Sequence, residues 1–322
     1  YYGLKGGAFG ILTGGLFRIW GPPGSFIEDN NDLALALIMI LPLIYFLVTN
    51  TKQFWIRMGL LGLIGLTSIS VLCSYSRGAF IALSITFFAF WLKTKRRLLT
   101  GTIGAIGIVC MLGFLPTSWY DRMDTISTYQ KDTSANERLT SWLYSLRLAA
   151  DHPVFGGGFN VVSDSKLYFK YVPNADAVHN FHSIYFQMLG ENGYPGLILF
   201  LSLIFGSLFT AQSIIRRCRG HKELEWAQQL ASSIQISIVG YCSAGAFLNV
   251  GYFDLFYVLI AMVTALKVAT ARELANPQPD TSQMVSDAVP ALAFAGNVPG
   301  TSAMVGDGLA LRLSQRDKNP AL

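Results

Sequence analysis

Charge is scarce in this sequence. Asp, Glu, Lys and Arg make up 13% of the 322 residues and hydrophobic residues 52%, where a soluble domain carries about a quarter charged residues. That balance excludes an ordinary soluble globular domain. Cysteine is scarce too: Cys73, Cys110, Cys218 and Cys242 fall in or beside apolar runs with no paired spacing, so neither a disulfide framework nor a zinc site is written here. The net charge of +5 does not form a nucleic-acid-binding patch, because the Lys and Arg residues gather in short loops between apolar runs. The sequence starts at Tyr1 rather than Met and has no signal-peptide pattern. The expectation is a fragment of a longer protein, with further helices preceding it.

Apolar runs suited to a hydrocarbon core of roughly 30 Å recur along the chain. The pattern predicts an all-α, polytopic membrane helix bundle of about seven spans, at residues 33–48 (bent at Pro42), 56–75, 79–92, 98–115, 195–215, 228–248 and 252–269. Residues 1–32, glycine-rich and then polar, read as a loop or short re-entrant structure. Spans one to four occupy 33–115, a long polar-apolar segment 116–194, spans five to seven 195–270, and a Pro-, Ser-, Ala- and Gly-rich tail 271–322, expected to be disordered and cytoplasmic.

Loop charge sets the expected orientation. Lys52 and Arg57, "KTKRR" (93–97), "RRCRGHK" (216–222), and Lys267 with Arg272 all fall on one side if the spans alternate, and the positive-inside rule makes that side the cytoplasm. The opposite face then carries residues 1–32, the "SYSRGAF" turn (74–80) and segment 116–194. That segment is too long to be a plain connection. Within it, "SANERLTSWLYSLRLAA" (134–150) has Ser134 and Glu137 in a capping-box pattern, followed by Leu139, Trp142, Leu143 and Leu146 at helical spacing. This predicts an amphipathic helix along the membrane surface.

Several residues on that outer face carry possible chemistry. Arg77 is either an interfacial anchor or an anion-binding group at the mouth of an outer cavity, where a lipid diphosphate would lie. Arg138 is either a solvated helix charge or a second such group, and Arg122 and Arg147 share the solvated reading. Asp176, His179 and His182 recur every three residues, so a helical stretch would put them on one face; metal ligation is one reading of that spacing. The others are a hydrogen-bonded structural imidazole for His179 and a general base for His182. Glu28, Asp29 and Asp32 read as loop or helix N-terminal carboxylates. Glu191, just before Pro195, would orient an imidazole or a helix end. Tyr185, Phe186 and Tyr194 suit an interfacial belt or a sugar-binding surface.

"HSIYFQMLGENGYPG" (182–196) resembles the His-(Asn/Ser)-x9-Gly-x-x-Gly motif of O-antigen ligases and their relatives, with His182 first and Gly193 and Gly196 last. His179-Asn180 satisfies the same pattern with Gly190 and Gly193, but "GYPG" matches the family's Gly-Leu-Pro-Gly step and favours His182. "SYSRGAF" resembles the family's Ser-Arg-Gly segment and places one arginine at Arg77; "DTSANERLTSW…DHPVFGGGF" (132–159) resembles the segment preceding the histidine and places the second at Arg138. "GPPGSFIEDNNDLALAL" (21–37) resembles the branch of O-glycosylation ligases found with exosortase systems. The resemblance covers residues 1 to 270, and members of this superfamily carry more spans than are counted here.

That resemblance implies a GT-C-like glycosyltransferase of the bacterial inner membrane, its active site facing the periplasm. It would transfer a glycan from a polyprenyl (undecaprenyl) diphosphate carrier to an acceptor lipid, polysaccharide or protein hydroxyl. No cofactor, metal or nucleic acid is implied. Arg77 and Arg138 would bind the diphosphate and His182 act as base, with His179, Arg122 and Glu191 as lesser candidates. Three alternatives stay open: a polymerase of lipid-linked repeats, a non-enzymatic transporter of lipid-linked glycan, and a metal-dependent enzyme using Asp176, His179 and His182.

Overall fold

The structure, a computed structural model, describes residues 1–94, 97–124 and 133–275, apart from the side chains of residues 103 and 133–135. The expected tail beyond Ala275, Lys95 and Arg96 of the "KTKRR" loop, and the Ser134 side chain of the capping box lie outside the described residues. Among the described residues every regular element is helical. Tyr1–Thr270 form one compact unit.

Helix α1 (Tyr2–Leu12) leads into a glycine-rich link and then α2 (Asn30–Asn50), α3 (Phe54–Leu72), α4 (Arg77–Lys93) and α5 (Arg97–Phe114). Short α6 (Thr117–Asp124), α7 (Thr133–Asp151) and α8 (Ser165–Tyr171) follow, then α9 (Ile184–Arg217), α10 (Glu225–Gly245) and α11 (Asp254–Ala275). Helices thus occur at all seven expected span positions, and five of them, α2, α3, α5, α9 and α11, are long and apolar enough to cross a membrane. α4 has 17 residues, short of the roughly 20 that a span needs. α10 carries Ser233, Gln235 and Ser237 buried among its neighbours, a polarity that protein rather than lipid covers.

The glycine-rich start, read as loop or short re-entrant structure, contains a helix. α1 forms because Gly3, Gly6, Gly7 and Gly10 make a side-chain-free face against α3; a Cβ on Gly7 would come 2.1 Å from the Leu66 carbonyl oxygen and one on Gly6 2.3 Å from Ser70 Oγ. This is the close backbone approach that small residues permit between membrane helices. The fifth expected span, 195–215, lies in the part of α9 that follows a break at Gly193 (φ 66°, ψ −167°), and a shorter helical piece from Ile184 precedes the break.

α10 packs on α2, α4 and α9, and α2 also packs on α3. Side-chain bonds fix the two ends of this bundle. At one end the Asn50 amide donates to Gln229 Oε1 (2.8 Å), and Lys93 bonds Gln235, whose own amide donates to the Leu208 carbonyl (2.8 Å). At the other end the buried Asn30 amide donates to the Ser74 carbonyl (2.7 Å), joining the start of α2 to the α3–α4 turn. The basic residues Lys52, Arg216 and Arg217 follow or close helices at the first end.

Segment 116–194 has its own core, with Tyr144, Leu148, Val161, Val162, Tyr168, Tyr171, Val172 and Phe181 buried together. α7 is amphipathic as expected, but its inward face is Ser141, Tyr144, Ser145 and Leu148. Leu139, Leu143 and Leu146 are exposed, and Trp142 stacks on Phe186 at 4.9 Å and donates its indole N–H to the Phe181 carbonyl (3.0 Å).

Candidate active site

At the Asn30 end of the bundle a cavity of about 110 Å³ is lined by Arg18, Arg77, Arg122 and Arg138, with Asn30, Asn31, Tyr75, Ser76 and the Ala244–Leu248 end of α10 completing its wall. Four arginines from four separate segments line it. Like charges repel, so each segment must be anchored independently.

Arg77 is the first residue of α4, whose N-cap Ser76 accepts the Ala79 N–H (3.1 Å). A helix N-terminus adds its own positive potential to that cation. The preceding Tyr75 takes a left-handed backbone (φ 58°), costly for a residue with a side chain. Its hydroxyl donates to the Gly15 carbonyl at 2.7 Å and lies 3.3 Å from Ser118 Oγ. Arg122 sits on α6, which is docked by buried Trp119: its indole N–H donates to the Leu72 carbonyl (3.0 Å), and the ring meets Phe80 edge-on at 5.4 Å. Arg138 comes from the second turn of α7.

His182 stands beside this cavity rather than in its lining. It too has a left-handed backbone (φ 48°), immediately before the N-cap Ser183 of α9. Ile184, two residues on, packs on Gly245 of α10, where an added Cβ would come 2.8 Å from it. Burial pushes the His182 imidazole below the usual histidine range, and the charges of Arg138 and His179 push it further, opposed by Asp29. The ring is therefore a neutral acceptor at neutral pH.

His179 belongs to a different arrangement. The expectation of one helical face for Asp176, His179 and His182 fails, because the stretch before Ser183 is not helical. His179 Nε2 lies 3.1 Å from Asp176 Oδ1 and Nδ1 lies 4.0 Å from Glu137. That hydrogen bond holds the exposed Asp176 carboxyl below the ordinary carboxylate range. Among the described residues no group of three His, Cys, Asp or Glu side chains is placed to hold a metal ion.

Glu191 is a structural knot and not a partner of either imidazole. Its buried carboxylate accepts the Asn160 N–H (3.2 Å) and the Tyr252 hydroxyl (2.8 Å). Around it the Gly157 and Gly158 N–H groups donate to the carbonyls of Gly190 and Glu191 (2.8 and 3.0 Å), and the Tyr194 N–H donates to the Pro153 carbonyl (2.9 Å). The bend expected at the Gly-x-Pro-Gly step is present at Gly193. What approaches closely there, however, is the chain's own 153–158 loop: a Cβ on Gly193 would lie 2.6 Å from the Pro153 carbonyl oxygen.

The sequence reading thus found three of the four arginines. Arg147 is elsewhere, donating to the Tyr171 carbonyl. Arg18 was missed; the signal was a lone cation beside Trp20 in an otherwise uncharged stretch, "GGLFRIWGPPG".

Residues 62–201 match the family model for O-antigen ligase. The matched stretch holds Arg77, Arg122, Arg138 and His182 and ends just beyond the Gly193 hinge, so it supports the O-antigen ligase superfamily where the candidate chemistry lies. Arg18, Asn30 and Asn31 complete the cavity from outside it. The resemblance to the exosortase-linked branch rests on residues 21–37, which the O-antigen ligase match does not reach. Comparison with curated proteins gives no match.

Proposed function

We propose that this protein is a membrane glycosyltransferase of the O-antigen ligase or polymerase type. It takes a glycan from a polyprenyl diphosphate carrier and passes it to an acceptor hydroxyl. The observation that carries this reading is the convergence of four arginines on one cavity beside a neutral histidine. Guanidinium groups match phosphate oxygens in charge and fork geometry, and a diphosphate is the leaving group that such a cavity would neutralise.

The chemistry follows from these groups. The acceptor hydroxyl attacks the anomeric carbon as its proton passes to the His182 imidazole. The bond from that carbon to the diphosphate oxygen breaks, and the departing charge is met by Arg77, Arg138 and Arg122. A diphosphate needs no protonation to leave, so one base and no acid suffices. Attack from the side opposite the diphosphate inverts the anomeric configuration. Arginines lining one cavity supply the positive charge that a divalent ion would otherwise bring to the phosphates, which favours a metal-independent reaction. The cavity lies at the bundle end opposite Lys52, Arg216 and Arg217, which by the positive-inside rule supports reading it as periplasmic.

Purified protein in nanodiscs, given polyprenyl diphosphate-linked glycan and candidate acceptors with and without EDTA, tests this. Transfer that persists in EDTA and collapses in His182→Ala and Arg138→Ala is the expected result. Carrier movement with the glycosyl bond left intact in every sample would replace the transferase with a transporter. Loss of transfer in EDTA would replace the metal-free mechanism.

A further inference from the structure

Of the cavity's four arginines, Arg18 differs in origin. It comes from the glycine-rich link between α1 and α2, outside residues 62–201. The link is fastened on both sides of it. Three residues before, the Gly15 carbonyl accepts the Tyr75 hydroxyl at 2.7 Å; one residue after, the Ile19 N–H donates to the Cys73 carbonyl at 3.0 Å, with the Ile19 side chain buried. Both anchors are on the α3–α4 turn that also presents Arg77.

The far half of the link is closed on itself. The Gly21 N–H donates to the Glu28 carbonyl (2.8 Å), and the Gly24 N–H donates to the Glu28 carboxylate (2.8 Å). That carboxylate is thereby occupied within the link. Arg18 itself is exposed, its guanidinium 5.8 Å from the Trp20 ring centroid. A cation resting over an aromatic face in water gives up little when it leaves that face for an anion.

The geometry points to Arg18 as a substrate-binding residue of the transfer site. It is a cation on a link strapped to the Arg77 turn, lining the same cavity as Arg138 of α7 and contacting the diphosphate there. This rests on the proposed transferase function and adds to it a group supplied by the amino-terminal link. The exposed position gives Arg18 the outer part of the cavity, so it serves the carrier's two phosphates together rather than one alone. The site should therefore prefer diphosphate over monophosphate carriers, and Arg18 should contribute to that preference.

The test uses the full chain in phosphatidylcholine nanodiscs, which lack competing anionic lipid. Binding of a short-chain polyprenyl diphosphate and of the matching monophosphate is measured for wild type, Arg18→Ala, Arg18→Lys, Arg138→Ala and the charge control Lys5→Gln. Losing one charge-assisted contact should weaken diphosphate binding about tenfold in Arg18→Ala. Monophosphate binding should weaken less, Arg18→Lys should recover part of the loss, and the salt dependence should become shallower. Melting temperatures should stay close to wild type, since the side chain is exposed. In the transfer assay the loss should fall mainly on KM.

If Arg138→Ala weakens binding while Arg18→Ala matches Lys5→Gln, the Arg18 assignment is wrong and the transferase reading stands. If neither arginine variant alters binding or transfer, both fall. Equal losses for diphosphate and monophosphate would leave Arg18 as a general attractor of anions and overturn its role with the second phosphate.

Discussion

Two regions meet in the eighteen residues 179–196, and they use similar devices for opposite ends. At the His182 end, charge is concentrated around a cavity: four arginines with a half-buried imidazole beside them, and left-handed backbone at Tyr75 and His182. At the Glu191 end a buried carboxylate and a left-handed Asn160 appear, yet every polar group named there is bonded to the chain's own backbone or hydroxyls. Left-handed backbone at residues with side chains is common to both. What separates a candidate reaction centre from a structural knot is that the arginines line a cavity, whereas the Glu191 carboxylate is covered by the chain's own donors.

The largest expected effect lies in the cavity. His182→Ala should lower glycan transfer by about 10²–10⁴-fold and leave the melting temperature nearly unchanged, read by transfer assay and thermal unfolding on the same preparation. Glu191→Ala should do the reverse. It removes the two bonds that the buried Glu191 carboxylate accepts from the Asn160 N–H and the Tyr252 hydroxyl, each worth about 1 kcal/mol for hydrogen bonds whose other partner is exposed, and should cut melting temperature while activity per folded molecule changes little. If Glu191→Ala instead abolished transfer in folded protein, the separation of the two regions would collapse. Gly193→Ala sharpens the same point, since its Cβ must enter a left-handed backbone against the Pro153 carbonyl; a loss of about 1–3 kcal/mol in stability is expected.

The pH profile gives a smaller, signed effect. With its pKa held below the ordinary 6.5 of histidine, His182 stays a neutral base into mildly acidic solution, and transfer should fall only as pH drops through that depressed value. Arg138→Ala removes one of the lowering charges, so the acid limb of the residual activity should move upward in pH. The same depression means that protonating His182 costs the folded state, so its contribution to stability is present above the unfolded pKa and lost as pH falls. Smallest of all, His179→Ala should change transfer by less than about threefold, because its ring is engaged with the carboxylates of exposed Asp176 and of Glu137 rather than with the cavity; a loss as large as that of His182→Ala would move the base to His179.

Much of this was legible in the sequence, and the gaps have physical causes. Hydropathy located the long helices, and short-range motif spacing located Arg77, Arg138 and His182, because each lies at the start of, or close to, a helix whose own pattern is strong. The helical phase assumed for His179 and His182 failed because the backbone turns left-handed at His182, which spacing cannot reveal. The bonds of Glu191 could not be read from spacing because its partners are 31 and 61 residues away. α1 was missed because glycine is a poor helix former on its own, and only the α3 surface makes a glycine face favourable. Arg18 was missed for the converse reason: nothing local marks it, and its meaning comes from the two bonds that hold its strap.

The break in α9 has a mechanical consequence. A continuous helix of 34 residues would measure about 51 Å, well over the roughly 30 Å of a hydrocarbon core. Gly193 divides it into a short piece laced to the 153–158 loop and a longer piece that packs along α10 and tilts with the bundle. Membranes of different thickness change the tilt of a spanning helix. With a pivot at Gly193, that tilting is absorbed below the site, and the imidazole keeps its height relative to the arginines. The protein should therefore work at similar rates in bilayers of short and long acyl chains, as a rigid rod in the same position would not.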